Sequence, residues 1–156
     1  MPVDLDDLDR RVLRELQRDN RLSMAELAQR VNSSAPTCLR RVKRLRDEGV
    51  IVGDVCLIDP AAIGRRMTMI AQVTVERERA DLIDLFKQSV IECEQVSACY
   101  YVTGDVDFVL ILHVTDMEEY ETLIERLFHS NSNVKQFKTL TSIRRVKFAT
   151  QMPVQV

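Results

Sequence analysis

A dense group of cations lies in the first third of the sequence. Five basic side chains fall within seven residues: Arg40, Arg41, Lys43, Arg44 and Arg46. Cationic groups so placed can neutralise the phosphates of a DNA duplex, while polar side chains just before them can contact base edges. A solvated helix surface with many salt bridges would carry the same charges, so the cluster alone does not distinguish a DNA-binding surface from a solvated one.

The apolar residues around these cations predict a helix over about residues 35–48. At about 3.6 residues per turn, Leu39, Val42 and Leu45 share one face, which we expect to be buried, with Cys38 at its edge. The opposite face and its flanks then project outward, as in a recognition helix that enters the major groove. The candidate DNA-binding residues are Ser34, Thr37, Arg40, Arg41, Lys43 and Arg44.

Two shorter helices precede this one. Asp6 or Asp7 can cap the first, Ser23 and Glu26 form a capping box for the second, and Asn32 can end it in the left-handed conformation. Two helices joined by a three-residue break are typical of a helix-turn-helix. The apolar runs 50–52 and 55–58, separated by Gly-Asp, predict a small hairpin that would make the motif winged.

Net charge does not favour DNA binding by this segment as a whole. Residues 1–60 contain eleven basic and eleven acidic side chains, and the whole chain has a formal charge of −2. Globally basic binding is therefore excluded, while a local basic patch remains possible. The acidic residues are mostly near the two ends of the segment, where we expect them to be away from the third helix: Asp4, Asp6, Asp7, Asp9, Asp54 and Asp59.

The rest of the chain has a different pattern. Strand and helix patterns alternate in the order β-α-β-β-α-β, at residues 67–75, 80–92, 96–103, 108–114, 120–128 and 137–146. This order predicts a ferredoxin-like domain. We therefore predict an α+β protein with a winged helix-turn-helix at 1–60, a linker at 61–66 and a ferredoxin-like ligand-binding and oligomerisation domain at 67–156.

The predicted sheet is apolar on both faces. Phe108, Leu110 and Leu112 alternate with Val109 and Ile111 along one strand. Both helices of a ferredoxin-like fold cover the same face, so the second face needs another cover. Pairing of two sheets in a homodimer is the simplest cover, and shielding of a central strand by loops is the alternative.

No residue pattern predicts a cofactor, a metal site or a catalytic site. His113 and His129 lack partners at metal-ligand spacing, and the four cysteines form no CxxC pair. No apolar run approaches the roughly 20 residues of a membrane span. The N-terminus lacks the features of a signal peptide, which predicts a cytoplasmic protein with free thiols.

Several segments together resemble the Lrp/AsnC family of transcription regulators. They are LDDLDRRVLRELQRDNRLSMAELAQRV, APTCLRRVKRLRDEGVI, DPAAIG and TGDVDFVLILHV, and they cover essentially the whole chain in the family's order. Where the family usually has Gly and an apolar residue at the helix-turn-helix corner, this sequence has Asn32 and Ser33. The resemblance implies binding to double-stranded DNA, homodimers that assemble into tetramers or octamers, and a small effector, commonly an amino acid, bound between dimers.

The same resemblance implies which residues would bind the effector. They are Thr103, Gly104, Asp105, Val106 and Asp107, together with Thr139, Thr141 and Ser142 near the last strand. Exposed loop N–H groups can hold an α-carboxylate, and an Asp can pair with an α-ammonium group. Gly and Asp are equally favoured in an ordinary hairpin turn, which is the alternative interpretation of this loop.

Two other functions share the predicted architecture. Some sirohaem decarboxylases use this fold for chemistry on an anionic macrocycle, but they need His and Arg side chains around it, and this chain has only two histidines. An architectural DNA-binding protein would have the same fold without any effector. The basic third helix favours a regulator, and we predict that the chain is not an enzyme.

Overall fold

The computed structural model describes residues 3–154, which divide into two compact units. One unit consists of the residues up to Cys56 together with the segment from Lys147 onward, and the other runs from Leu57 to Val146. Each unit has its own hydrophobic core. Among the described residues, no helix is both long enough and apolar enough to cross a bilayer.

The first unit contains three helices, α1 (Asp7–Arg18), α2 (Met24–Val31) and α3 (Ala35–Asp47). Capping residues fix where each one begins, because the first turn of a helix has unpaired N–H groups. The side chain of Asp6 accepts from Asp9 N–H, and that of Ser23 from Glu26 N–H. Asn32 ends α2 with a φ of 52°, which confirms the predicted helix-turn-helix corner.

The predicted hairpin after α3 is absent from the described chain. The N–H groups of Val50 and Ile51 both donate to the Leu45 carbonyl, at 2.9 and 3.0 Å. These two bonds close the C-terminal end of α3, so the same N–H groups cannot donate to a neighbouring strand. Val52 and Val55 are 94% and 74% exposed, so this stretch buries too little apolar surface to support two isolated strands.

The last segment of the chain packs on the first unit. The side-chain amide of Gln17 donates to the Met152 carbonyl at 3.0 Å, and Gln151 donates to the Gln17 carbonyl at 3.2 Å. Val154 packs against the apolar cluster of the three helices. The predicted second domain extends to residue 156, whereas this segment belongs with the helices instead.

The second unit has the predicted β-α-β-β-α-β order after a short 3₁₀-helix at Pro60–Ile63. Its elements are β1 (Met67–Val75), α4 (Ala80–Ile91), β2 (Val96–Tyr101), β3 (Phe108–Val114), α5 (Met117–Ile124) and β4 (Val134–Thr141). The antiparallel sheet has the strand order β2-β3-β1-β4. A π-helical turn, Glu125–His129, extends α5.

The helices cover one face of this sheet. Alternate residues of β1 and β3 are buried there, and Phe86, Phe108 and Phe128 form the centre of the core. The rings of Phe86 and Phe108 lie 4.8 Å apart. Strict alternation along both strands fixes the register, because a shift by one residue would expose the whole core set.

Two strands end earlier than the sequence patterns predict. β4 spans Val134–Thr141 rather than 137–146, because Thr141 already faces Met69 and β1 begins only two residues before it, at Met67. Ser142 N–H makes the last bond, to the Thr68 carbonyl at 2.9 Å. β2 stops at Tyr101 rather than at residue 103, because Val102 N–H closes the following loop onto the Asp107 carbonyl.

The opposite face of the sheet has no helix over it. In the paired registers, Ile70 lies between Ile111 and Leu140, and Tyr100 lies beside Val109. We call these five residues the open face, and polar side chains surround them. Tyr100 and Leu140 are exposed in the single chain.

Candidate functional site

Helix α3 is rotated relative to the orientation that its apolar residues predict. Cys38, Val42 and Leu45 are its buried residues, whereas Leu39 is 59% exposed. The prediction that Leu39 is buried was therefore wrong. The i, i+4, i+7 spacing of the three buried residues forms a continuous stripe, and Leu39 lies off it.

This rotation turns two of the predicted DNA contacts toward α1. Arg41 Nη1 lies 2.7 Å from the Asp6 carboxylate and 3.3 Å from that of Asp9, and Arg44 Nη2 donates to Asp9. The outward projection predicted for Arg44 was wrong, as was the expected separation of the N-terminal acids from the third helix. The carboxylates of Asp6 and Asp9 hold the two guanidinium groups by charge-assisted hydrogen bonds, which are stronger than hydrogen bonds between neutral groups.

Arg40 and Lys43 are exposed cations of α3 that have no partner among the described residues. Within residues 3–154, neither side chain makes an ion pair or hydrogen bond with another residue, whereas Arg46 pairs with Asp54 at 2.7 Å. Ser34 caps the helix and donates to Thr37 Oγ1 at 2.8 Å, so both hydroxyls lie at its N-terminus. Two unpaired cations next to two hydroxyls can contact phosphates and base edges of one duplex.

The loop between β2 and β3 is divided into a structural part and a free part. Asp107 is bonded to β1, because its carboxylate accepts from Val75 N–H at 2.7 Å and its N–H donates to the Val73 carbonyl. Asp105 is exposed, and Gly104 has a φ of +126°. In the described chain, the N–H groups of residues 104–106 have no protein partner, so they are available to an anion.

The other predicted effector residues lie near the far end of the sheet. Thr139 Oγ1 accepts from the Tyr120 hydroxyl at 2.6 Å, and Thr141 Oγ1 lies 3.3 Å from the Met69 sulfur. Thr141 pairs with Met69 and Phe108 pairs with Val73, four positions further along β1, which is about 13 Å. Within one chain, Thr141 and Ser142 therefore do not join the 103–107 loop in a single pocket.

The histidines and cysteines offer no catalytic or metal-binding arrangement in the described part of the chain. No group of three His, Cys, Asp or Glu side chains there could hold a metal ion. Burial, with positive charge from Arg145 and Arg65, lowers the pKa of His113, whose Nδ1 lies 3.1 Å from Thr68 Oγ1. Burial also raises the pKa of the Cys38 thiol, which favours the unreactive protonated form.

Sequence reasoning missed the role of the α1 acids. Asp6 and Asp9 are three residues apart, as are Arg41 and Arg44, so each pair shares one helix face. Matched spacing of opposite charges on two neighbouring helices was the available signal. It is weak, because Asp6 and Asp9 are also accounted for as a capping box.

Comparison with known families covers both units. Residues 5–52 match the winged helix-turn-helix DNA-binding family, and residues 68–152 match the Lrp/AsnC ligand binding domain. The leucine-responsive regulatory protein of Escherichia coli is 32% identical over 152 residues, which are 97% of this chain and 93% of that protein. The chain belongs to the Lrp/AsnC family. It is a DNA-binding transcriptional regulator of that type.

Other relatives agree with membership of the Lrp/AsnC family. An HTH-type transcriptional regulator of Sinorhizobium fredii is 46% identical, over 99% of this chain and 91% of that protein. A transcriptional regulator of Neisseria meningitidis, solved in complex with L-Met, superposes with a TM-score of 0.90 at 29% identity, covering 96% of this chain and 97% of that one. An AsnC family regulator of Agrobacterium tumefaciens gives the same values.

These Lrp/AsnC relatives are regulators rather than enzymes. This agreement confirms the prediction that the chain is not an enzyme, and the decarboxylase alternative is dropped. The predicted α+β architecture is confirmed by the same structures. The ligand-binding family match supports a small-molecule partner, without identifying it.

Proposed function

We propose that this Lrp/AsnC regulator binds specific duplex sequences through the exposed face of α3 that carries Arg40 and Lys43. The observation that carries the proposal is the contrast between unpaired Arg40 and Lys43 and the paired Arg41 and Arg44. Unpaired cations release counterions from DNA when they contact phosphates, whereas paired ones have already been neutralised. Ser34 and Thr37 would contact bases or phosphates at the start of the helix.

Salt-dependent binding to duplex DNA tests this assignment. Arg40→Gln and Lys43→Gln should each flatten the dependence of log K on log salt by about 0.9 per lost phosphate contact. Arg79→Gln is the matched control, because Arg79 is an exposed, Asp81-paired cation just before α4. Fluorescence anisotropy with duplexes selected from a randomised pool measures the slopes. Equal slopes for Arg40→Gln and Arg79→Gln would contradict the proposal.

We further propose that the free part of the β2–β3 loop binds an amino acid effector between dimers. The unpaired N–H groups of residues 104–106 suit an α-carboxylate, and the exposed Asp105 carboxylate suits an α-ammonium group. The relatives support this ligand class, since one is called leucine-responsive and another was solved with L-Met. Thr141 and Ser142 would reach such a site only from a neighbouring chain, and Thr139 lies between them and the loop along the register of β1.

Thermal unfolding in the presence of each common amino acid tests the effector proposal. A ligand that binds only the native state raises the midpoint temperature. The shift should vanish in Asp105→Asn and persist in Asp81→Asn, which removes an exposed carboxylate from α4. If none of the amino acids raises the midpoint temperature, the result would favour an architectural protein or a different effector class.

We also propose that two chains pair through the open face and that the dimers assemble further, into tetramers or octamers. Ile70, Ile111 and Leu140 form an apolar strip across three strands, and its burial is worth about 25 cal/mol per Å². A dimer presents two copies of α3 to the two halves of a palindromic site. We also propose a cytoplasmic location, since both proposed ligands, duplex DNA and free amino acids, are found there.

A further inference from the structure

One carboxylate lies beneath the proposed DNA-binding surface and is completely buried. Asp9, in the first turn of α1, has 0% exposure. Its position is fixed by the helix start, because Asp9 Oδ2 accepts from Asp6 N–H at 3.1 Å and Asp9 N–H donates to Asp6 Oδ1 at 2.9 Å. The capping box therefore holds two carboxylates at one place on the surface of α1.

These two carboxylates meet two guanidinium groups of α3. Arg41 bridges Asp6 and Asp9, and Arg44 donates to Asp9. Arg44 Nε is buried without a hydrogen-bond partner, and the Glu48 carboxylate lies 3.7 Å from it. Arg44 is thus held by acids on two sides, although its side chain is still 37% exposed.

We propose that Asp6 and Asp9 are positioning residues for DNA binding, which withhold Arg41 and Arg44 from DNA phosphates and leave Arg40 and Lys43 as the contacting cations. This inference rests on the proposed function of Arg40 and Lys43. A densely basic helix binds any duplex, because phosphate contacts are independent of sequence. Internal neutralisation of two cations lowers that general affinity and increases the relative weight of the base contacts.

The proposal differs from a purely structural role in its effect on salt dependence. If the acids only join α1 to α3, their loss weakens folding and leaves the number of phosphate contacts unchanged. If they withhold the arginines, their loss adds a phosphate contact. Each added contact steepens the slope of log K against log salt by about 0.9, so the gain in affinity between 1 M and 0.1 M salt becomes roughly eightfold larger.

Asp6→Asn is the decisive variant, because Asn caps a helix as well as Asp does and only the charge is lost. Asp7→Asn is the matched control. It removes the same charge from the same turn, but Asp7 faces solvent, and among residues 3–154 its carboxylate pairs with Arg10 alone, across 3.6 Å. Anisotropy on a random-sequence duplex at several salt concentrations gives the slopes, and circular dichroism checks that both variants fold.

We expect a steeper slope and tighter random-duplex binding for Asp6→Asn, no change for Asp7→Asn, and return to the original slope in Asp6→Asn with Arg41→Gln. Equal slopes for Asp6→Asn and Asp7→Asn would overturn the inference.

If Asp9→Asn does not fold, Arg44→Gln tests the second pair. It should keep the original slope, and a loss as large as that of Arg40→Gln would also overturn the inference. Failure of Arg40→Gln to change binding would instead reject the proposed function.

Discussion

The carboxylate of Asp107 accepts a 2.7 Å hydrogen bond from Val75 N–H and thereby fixes the β2–β3 loop to the end of the central strand. The same residue donates its own N–H to the Val73 carbonyl. Two adjacent strands and the loop are therefore joined at one residue. Asp105, two positions earlier, has no such role and is exposed.

Asp107→Ala should lower the free energy of unfolding by about 1–3 kcal/mol, because it leaves the part-buried Val75 N–H without its charged acceptor. Asp105→Ala should change it by less than about 0.5 kcal/mol, as surface substitutions usually do. Urea unfolding followed by circular dichroism measures both. Equal stability of the two variants would show that the Asp107 bond contributes nothing.

Helix α3 offers a matched pair of leucines. Leu45 has 0% exposure, so Leu45→Ala should cost about 2–5 kcal/mol through lost burial and the cavity that remains. Leu39→Ala should stay within about 0.5 kcal/mol, because Leu39 is mostly exposed. Thermal unfolding of the two variants compares them directly. A large loss for Leu39→Ala would mean that the helix orientation described above is incorrect.

Glu119 predicts a specific dependence of stability on pH. The pKa of the Glu119 carboxyl is lowered from 4.5 to about 2, mainly by the hydrogen bond from the backbone N–H of Thr115. Hydrogen bonds from Arg65 and Gln95 lower it further, while burial opposes the shift. Because the pKa is lower in the folded state, the stabilisation is complete well above pH 4.5 and is lost as the pH falls toward 2. Between pH 7 and pH 3, the wild type should therefore lose more stability than Glu119→Gln does.

The control for this comparison is Glu121→Gln, which changes an exposed carboxylate on the same helix. Chemical unfolding of all three proteins at both pH values gives the differences. The Glu121 variant should follow the wild type. Loss of stability in Glu119→Gln to the same extent as in the wild type would contradict the assigned cause.

The open face predicts the assembly state. Ile111→Lys should yield monomers, because it places a charge among Ile70, Tyr100 and Val109 in the proposed interface. Leu85→Lys is the control, since Leu85 is 66% exposed on α4 and lies on the other side of the sheet. Analytical ultracentrifugation distinguishes the two. A dimeric Ile111→Lys variant would rule out this face as the interface.

Features set by neighbouring residues were predictable from the sequence. The capping box at Ser23 and the left-handed Asn32 depend on groups within one helical turn, and the structure confirms both and identifies Asp6 as the first cap. Strand β3 was predicted to the residue, because its alternating pattern reflects a face that is buried along its whole length.

Features set by distant residues were not predictable in the same way. The hydropathy of Leu39 suggested burial, but neighbouring helices decide which stripe of α3 they cover. The ion pairs of Asp9 with Arg41 and Arg44 join residues more than thirty positions apart. The absent hairpin has a local cause, the two bonds to the Leu45 carbonyl, yet apolar composition gives no sign of it.

The C-terminal segment that packs on α1 has a consequence for biosynthesis. The three helices are translated before the residues that bond to Gln17, which follow only after the whole of residues 57–146. Until that segment is made, the nascent helices have part of their apolar cluster uncovered, where Val154 will later lie. A truncated translation product would keep that surface open, which would distinguish it from the finished regulator for proteases and chaperones.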